Sequence, residues 1–482
     1  MSLTTALNTA ASGLRATSRA AELVAGNVAN VATPGYARRD LILTTNTLGG
    51  VRIEGVSRAV DPLLIADRRV AEANSASADV LADGLKAIEE AIGEPTAVGS
   101  LGERLARFEA SLIEAATRPD LDARLSAAVS AAGELARGIA NTGREIQDVR
   151  TKADGDIATM VRQVNAGLEQ VDALNDEIRR LGDRGPTVIN LKEQRQQVID
   201  GLSDIVPLRE VERQNGQVAL FTTGGAVLLE GSPRRLEFTP KGFIEPWMSL
   251  SGGALSGLTI GNDAIDTSAP RSLLGEGALQ AAFTLRDQVA PDAQASLDAV
   301  ARDLVERFQD PALDPTLTAG DAGLFTDNGL AFDPVNEEGL AQRLEVNAFV
   351  VPGAGGEVWR LRDGIGAVAE GPLGDSGLLT ALSEQLRAPR TAASGPTAGR
   401  AFSVSDQVNA FLTGVASERQ RRDGDVAFIS SRLEALRNEE AQGGVDTDDE
   451  MQKLLAVEQA YGANARVLQT LDTLFEQLLG IT

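Results

Sequence analysis

Apolar residues return every seven positions at both ends of this chain and along much of its middle. Near the N-terminus Leu7, Leu14, Ala21 and Val28 form one row, with Leu3, Val24 and Val31 in the neighbouring one. Rows of this period predict a helix seam. Pro34 pushes Thr33 out of the helical region and Gly35 permits a turn, so the helix is expected to end there and Tyr36 to begin an extended segment. The other end mirrors it, with rows Leu454, Tyr461, Leu468, Phe475 and Val457, Asn464, Leu471, Leu478. Thr447 and Glu450 have the spacing of a capping box, and the surrounding acids suit a helix N-terminus.

Between the ends the period changes. Asp40–Thr45 and Gly50–Val56 alternate, as short strands or an extended arm do. Leu81, Leu85, Ile88 and Ile92 then mark one helix, and Leu101, Leu105, Phe108 and Leu112 a second. The longest pattern carries Leu125, Ala132, Ile139, Ile146 and Ala153, re-registers, and continues through Ile157, Val164, Val171 and Ile178. Asp154-Gly155-Asp156 lies at the change and predicts a break. Leu191, Val198, Leu202 and Ile205 predict an antiparallel return helix. Beyond Pro207, Gly216–Thr223, Ala226–Glu230 and Arg235–Thr239 alternate between glycine-rich turns, as a small antiparallel sheet does. A further helix is expected over Ala281–Gln309. The stretch Asp310–Arg400 is rich in Gly, Pro and Asp, and its end, APRTAASGPTAGR, has a linker composition. Val408, Phe411, Val415, Val426, Ile429, Leu433 and Leu436 restore helix until Gly443-Gly444.

The predicted fold is mainly α with smaller β regions (α+β). Its expected divisions are an N-terminal axial helix and arm (1–60), a helical bundle (61–206), a small antiparallel β region (207–268), a returning helix (269–309), an inserted lobe with linker (310–400), and C-terminal axial helices pairing with the N-terminus as a coiled coil (401–482). Such a terminal pair is thin. Ordering each residue costs about 1 to 2 kcal/mol of backbone entropy, and burying a leucine returns about 1.5 to 3. The ends are therefore expected to be loosely ordered in the isolated chain and fixed when copies pack around them, with Asn464 as a polar residue setting register.

Composition then removes candidates. The chain has 69 acidic and 45 basic residues, a net charge of -24, which argues against nucleic-acid or anionic-membrane binding. There is no Cys and no His. Ser-His-Asp and Cys-His catalysis, His-ligated metals and disulfides lack their parts. No apolar run approaches the roughly 20 residues of a membrane span, and no basic start precedes an apolar leader.

The block Asn27-Val28-Ala29-Asn30-Val31-Ala32-Thr33-Pro34-Gly35-Tyr36 resembles the N-terminal signature of bacterial flagellar axial proteins, N-I-A-N-x-x-T-P-G-Y, with Val28 for Ile and Ala32 for a common Asn. Gly444-Val445-Asp446, Glu450, Leu454-Leu455, Gln459-Ala460-Tyr461 and Ala463-Asn464-Ala465-Arg466-Val467 resemble the C-terminal signature of the same family. Leu191–Val206, Gly216–Phe221 and Gly275–Asp298 are similar to its hook-associated members, those of the junction between hook and filament. The resemblance implies a structural protein of the extracellular flagellum and not an enzyme. Its ends would line an export channel as a helical tube of copies, after unfolded export by the flagellar type III apparatus. It implies as partners hook protein, a second junction protein, further copies of the chain and a cytoplasmic export chaperone, with no cofactor, no nucleic acid and no membrane insertion.

The residues expected at the assembly interface are Leu3, Leu7, Leu14, Val24, Val28, Val31, Leu454, Tyr461, Asn464, Leu468, Leu471, Phe475 and Leu478, with Pro34-Gly35-Tyr36 setting the exit from the first helix. Other signals are weak. Gly252-Gly253 and Gly257 lack a following Lys-Ser. Asp310, Asp314 and Asp321 miss the spacing of a calcium loop and are expected in turns. Arg419, Arg421 and Arg422 are expected on a solvated helix face. Rival readings are another axial protein, of hook or distal rod, or a secreted carboxylate hydrolase. Loosely ordered ends lead to a simple expectation: limited trypsin digestion removes both termini and leaves a core of about residues 65 to 440. Equal protection of the ends would contradict it.

Overall fold

The computed structural model describes residues 3–479 apart from 34, 35, 48, 95, 96, 183–185 and 270; the side chains of Pro186, Leu478 and Leu479 also lie outside the description. The N-terminal helix α1 (Leu3–Ala29) is followed by an antiparallel hairpin, β1 (Arg39–Thr45) and β2 (Val51–Arg58), with an irregularity after Ile42. Next come α2 (Pro62–Ile92), α3 (Leu101–Thr117), α4 (Asp122–Leu181) and α5 (Pro186–Ser203). Local chemistry starts and stops them. Asp61 accepts from the amides of Leu63 and Leu64 ahead of Pro62, and Gly93 ends α2 with φ of 78°. Ser100 caps α3 through the Glu103 amide.

Helix α4 has 60 residues and runs unbroken through Asp154-Gly155-Asp156. At 1.5 Å per residue it is roughly 90 Å long. The expected break is absent for two reasons. Moving from Ala153 to Ile157 inserts four residues into the heptad pattern, which locally unwinds a helix seam without interrupting the helix. The inward charge is also satisfied, because Arg286 donates to Asp154 at 2.7 Å with both side chains fully buried. Asp154 accepts a second bond from the Lys241 amide at 2.5 Å.

All nine predicted seam positions of α4 are buried, and the helix carries one core cluster after another. Leu125 to Ile146 belong to the largest cluster, Ala153 to a small one with Leu81, Ala281 and Leu285, and Ile157 to Val171 to another. Ile178 closes a fourth with Val188 and Leu191 of α5.

Two small antiparallel sheets cover the distal half. One has the order β3 (Leu208–Glu212), β4 (Val218–Thr222), β5 (Val227–Glu230), β6 (Ser232–Pro233); the other has β7 (Leu236–Glu237), β8 (Leu258–Ile260), β9 (Asp263–Ile265). The chain returns through α6 (Ala278–Thr284), a π-helical turn (Leu285–Val289) and α7 (Ala290–Phe308). The wide turn places Arg286 over Phe283 and Phe238 and beside Asp154.

The following segment holds β10 (Phe325–Asp327), α8 (Leu340–Arg343), β11 (Leu344–Val346), α9 (Arg360–Asp363), α10 (Gly377–Arg387), β12 (Arg390–Thr391) and β13 (Ala401–Phe402). Its apolar pieces are not a separate core. Phe325 packs edge-on against Phe108 of α3 and Phe308 of α7 at 5.7 and 5.3 Å, and Leu340, Leu361 and Leu382 join the same cluster. Asp310, Asp314 and Asp321 sit in turns, accepting from nearby backbone amides. Last come α11 (Val404–Gln442) and α12 (Thr447–Leu479). Helix α11 packs on α2, with Val408, Phe411 and Val415 buried. Arg419 is therefore not simply solvated: it pairs with Glu89 of α2 and with Asp423.

The buried pair at the stutter generates a stability prediction. Asp154→Ala leaves Arg286 with Asp287 as its remaining carboxylate, and the cost of breaking such a pair is about 3 kcal/mol. Urea unfolding should show that loss; a change below about 0.5 kcal/mol, as for an ordinary surface site, would refute the role assigned to the pair.

Candidate assembly site where the two ends meet

Helices α1 and α12 come from opposite ends of the chain and lie side by side. Two contacts fix their direction. Asn27 reaches Glu450 at the base of the pair, and Asn464 lies against Gly13 farther along, where a Cβ would come within 2.8 Å of its side chain. The pair is antiparallel. Gly13 permits the close approach, so Asn464 does occupy a facing position.

The burial along the pair is uneven. Ala10, Ala16, Val24 and Asn27 are buried on α1, and Glu450 and Leu471 on α12. Leu3, Leu14, Val28, Leu454, Asn464, Leu468 and Phe475 are half-buried. Leu7, Val31 and Tyr461 are exposed. Pro34, Gly35 and the side chain of Leu478 lie outside the description. The seam is thus narrower than the heptad rows, with Leu7 and Tyr461 left exposed where their rows predicted contact.

The exit from α1 also differs from expectation. The helix ends at Ala29, before Thr33, where the Asn30 side chain donates to the Gly26 carbonyl at 2.8 Å alongside its own amide at 3.1 Å. This local bond competes with continuing the helix. Thr33 is exposed and its hydroxyl donates to Asn30 at 3.3 Å.

Asn27 is the centre of the site. It is 1% exposed, and its side chain makes four hydrogen bonds. The amide nitrogen donates to the Arg39 carbonyl at 3.0 Å and to Glu450 Oε2 at 2.9 Å. The amide oxygen accepts from the Tyr36 hydroxyl at 2.9 Å and the Arg39 amide at 3.0 Å. Every donor and acceptor of the side chain is therefore used. Burial raises the Tyr36 hydroxyl above its ordinary pKa, although the nearby Arg39 works against it, so the phenol stays a donor.

Glu450 was expected to turn back toward Thr447 in a capping box. It turns inward instead, accepting from Asn27 and from Lys453 Nζ at 2.6 Å. Asp446 caps α12, accepting from the amides of Asp448 and Asp449 at 2.8 and 3.3 Å.

The base of the pair is tied to the body by arginines. Arg39 lies 5.1 Å over the Tyr36 ring and donates to Glu193 at 2.6 Å and Asn190 at 2.8 Å, both on α5. Arg58 of β2 donates to Gln196 at 2.8 Å. Deeper in, Arg68 and Arg69 of α2 gather Glu72, Asp200, Glu210 and Glu440, joining α2, α5, β3 and α11. The hairpin folds back along α1. Gly50 has φ of 92° and a Cβ there would lie 2.3 Å from Ser12 Oγ, which accepts from the Val51 amide at 3.1 Å.

Sequence reasoning named Asn27 and Tyr36 but not Arg39, Arg58 or Glu193. The signal present in the sequence was a polar residue inside an apolar seam, with the paired arginines Arg38 and Arg39 shortly after Tyr36 in an acidic chain. Among the described residues no cluster of carboxylates is arranged to hold a metal ion, and no helix is long and apolar enough to cross a membrane. The arrangement offers packing and positioning.

The chain is similar to known proteins along nearly its whole length. Residues 85–312 match the flagellar hook-associated protein FlgK helical domain, residues 442–481 the flagellar basal body rod FlgEFG protein C-terminal family, and residues 7–36 the flagella basal body rod protein family. Flagellar hook-associated protein 1 of Escherichia coli strain K12 is 24% identical, covering 98% of this chain and 99% of its own. Its counterpart in Bacillus subtilis strain 168 is 24% identical over 98% and 97%, and that of Salmonella typhimurium 26% identical over 63% and 55%. The solved flagellar hook junction protein FlgK of Burkholderia pseudomallei gives a TM-score of 0.46 at 19% identity, covering 55% of this chain and 47% of that one. The chain belongs to the flagellar hook-associated protein 1 family, structural proteins of the bacterial flagellum at the junction of hook and filament.

Proposed function

We propose that the antiparallel α1 and α12 pair is the surface through which copies of this chain assemble with one another and with neighbouring axial subunits. One observation carries the reading: the pair leaves large apolar side chains exposed on its flanks, while α4 buries its whole seam. Val467 and Leu474 stand seven residues apart on one flank of α12, Met451 and Leu455 on another, Leu7 projects from α1 and Val31 from the turn that follows it. Unpartnered apolar faces of this kind mark interaction surfaces. A ring of copies would bury them, and the heptad residues turned away from the partner helix would acquire neighbours.

On this reading the function is packing without catalysis. The body, roughly 61–400 with α11 on its side, faces outward, and the terminal unit faces the axis. Hook protein and a second junction protein are the axial neighbours. Export through the flagellar type III apparatus, with a cytoplasmic chaperone on the C-terminal helix, supplies the chain to the growing structure. The polar node at Asn27 then sets the angle at which the terminal pair leaves the body.

Two substitutions separate these roles. Leu471→Asp removes about 2 kcal/mol of apolar burial and places a charge in the seam; the expected result is a folded, exported body that forms no stable junction, read as loss of filament attachment in the producing bacterium. Normal attachment would refute the seam. Asn27→Leu deprives Glu450, Tyr36 and the Arg39 amide of their partner, at about 1 to 3 kcal/mol for each group left unsatisfied. Hydrogen exchange should then rise across α12 and the β1–β2 hairpin but not in α4. Unchanged protection of α12 would mean that the node does not hold the ends together.

A further inference from the structure

The terminal pair and the body meet without a shared core. Helices α1 and α12 pack on each other, and the hairpin packs on α1. Among the described residues, none of the four apolar clusters of the body contains a residue of α1, α12, β1 or β2. The chain crosses between the two units twice, at 59–61 and at 443–446. Each unit is tied close up to these crossings. On the body side Arg68 pairs with Glu440 at 2.6 Å and Arg437 with Glu72 at 3.0 Å; on the other side Asn27 donates to Glu450 at 2.9 Å. Units that share little apolar surface move relative to one another by default. Two crossings restrict that motion, and the softest one left is rotation about the line that joins them.

Between the units stands a polar bridge. Asn190, Glu193 and Gln196 lie on one face of α5, three residues apart. Arg39 of β1 donates to the first two at 2.8 and 2.6 Å, and Arg58 of β2 to the third at 2.8 Å. The bridge is not drawn tight. Arg58 Nε and Glu193 Oε1 face each other at 3.6 Å, both buried and neither hydrogen-bonded, and Arg39 Nε is in the same state. A charge-assisted bond closes at about 2.7 to 2.9 Å. The two arginines therefore hold α5 with part of their bonding capacity unused, which suits a contact that yields and closes again as the hairpin moves.

We propose that the terminal unit turns on the body about the line through the two crossings, with Arg39 and Arg58 on α5 as the stop that sets its resting angle. The use of this joint rests on the assembly reading: one subunit can meet neighbours at different angles while its body keeps its shape. The leverage is large. Helix α1 has 27 residues and is roughly 40 Å long, so a turn of about 10° carries its far end about 7 Å.

The chain has no cysteine, so spin labels can be placed in pairs and distances measured by double electron–electron resonance on the isolated full chain. Gln170→Cys with Gln469→Cys spans the joint. Gln170→Cys with Glu145→Cys lies within α4 and Ala25→Cys with Gln469→Cys within the terminal pair, all at exposed positions. The distribution across the joint should be at least about twice as wide as either control. Arg58→Gln removes one arm of the stop and leaves Arg39 in place; it should widen the spanning distribution by about half again or more, and Gln196→Ala serves if that chain does not fold. The inference is overturned if the spanning pair is as narrow as the pair within α4, if the pair within the terminal unit is equally broad, so that fraying and not turning spreads the labels, or if loosening the stop leaves the width unchanged. A rigid joint would leave the assembly reading intact, and normal attachment with Leu471→Asp would leave the joint intact, so the two fail separately.

Discussion

A helix of 60 residues can face a core along its whole length only if something absorbs the mismatch between its own period and a seven-residue apolar pattern. In α4 the correction is concentrated in one place. The step from Ala153 to Ile157 shifts the stripe, and at that point an acidic side chain, Asp154, faces inward. Its burial is tolerable because Arg286 meets it. Arg286 is positioned by a π-helical turn in the returning chain, so the irregularity in one element answers the stutter in another. The clusters on either side of the stutter, one shared with α3 and α7 and one with the small sheets, hang on that correction.

The same device recurs at the ends, where the purpose is register. Two apolar helices can slide by a heptad at small cost, whereas a buried polar side chain has one address. Asn27 with Glu450 at the base provides such an address, whereas Asn464, half-buried against Gly13 farther along, adds a close steric fit. Through the Arg39 backbone, Asn27 also fixes where the hairpin begins, and through its side chain Arg39 fixes the hairpin on α5. Alignment of the ends and attachment of the ends to the body are thus one network of side chains.

The helices of the body were legible because their stabilising contacts repeat locally. Leu81, Leu85, Ile88 and Ile92, or Leu101, Leu105, Phe108 and Leu112, are each a buried stripe that announces itself within four turns. The misreadings share another cause. Asp154 looked like a helix breaker because Arg286 stands 132 positions away. Glu450 looked like part of a capping box because Asn27 stands 423 positions away. Arg419 looked solvated because Glu89 is on a distant helix. A charge is read from its neighbours in sequence, but its role is set by the partner that folding supplies. The Asn27 signature was visible; its four bonds were not, since they need the hairpin and both termini in place.

This contrast bears on how one chain can be both rigid and assembly-competent. In the body, apolar stripes close on one another through aromatic contacts such as Phe108, Phe308 and Phe325. In the terminal pair, the large apolar side chains reaching full burial are few, Val24 and Leu471 chief among them. At about 1.5 to 3 kcal/mol for each buried leucine, so thin a seam offsets little of the ordering cost of two helices, about 1 to 2 kcal/mol per residue. The polar node compensates at one end only, where the pair meets α5. Stability should therefore decline from that base outward, so that the far ends of α1 and α12 are where added contacts matter most. On the proposed assembly reading, a neighbouring copy laid on Leu7, Val467 and Leu474 would supply contacts toward those far ends without disturbing the node, which is the condition for a subunit to join an assembly while its body keeps its shape.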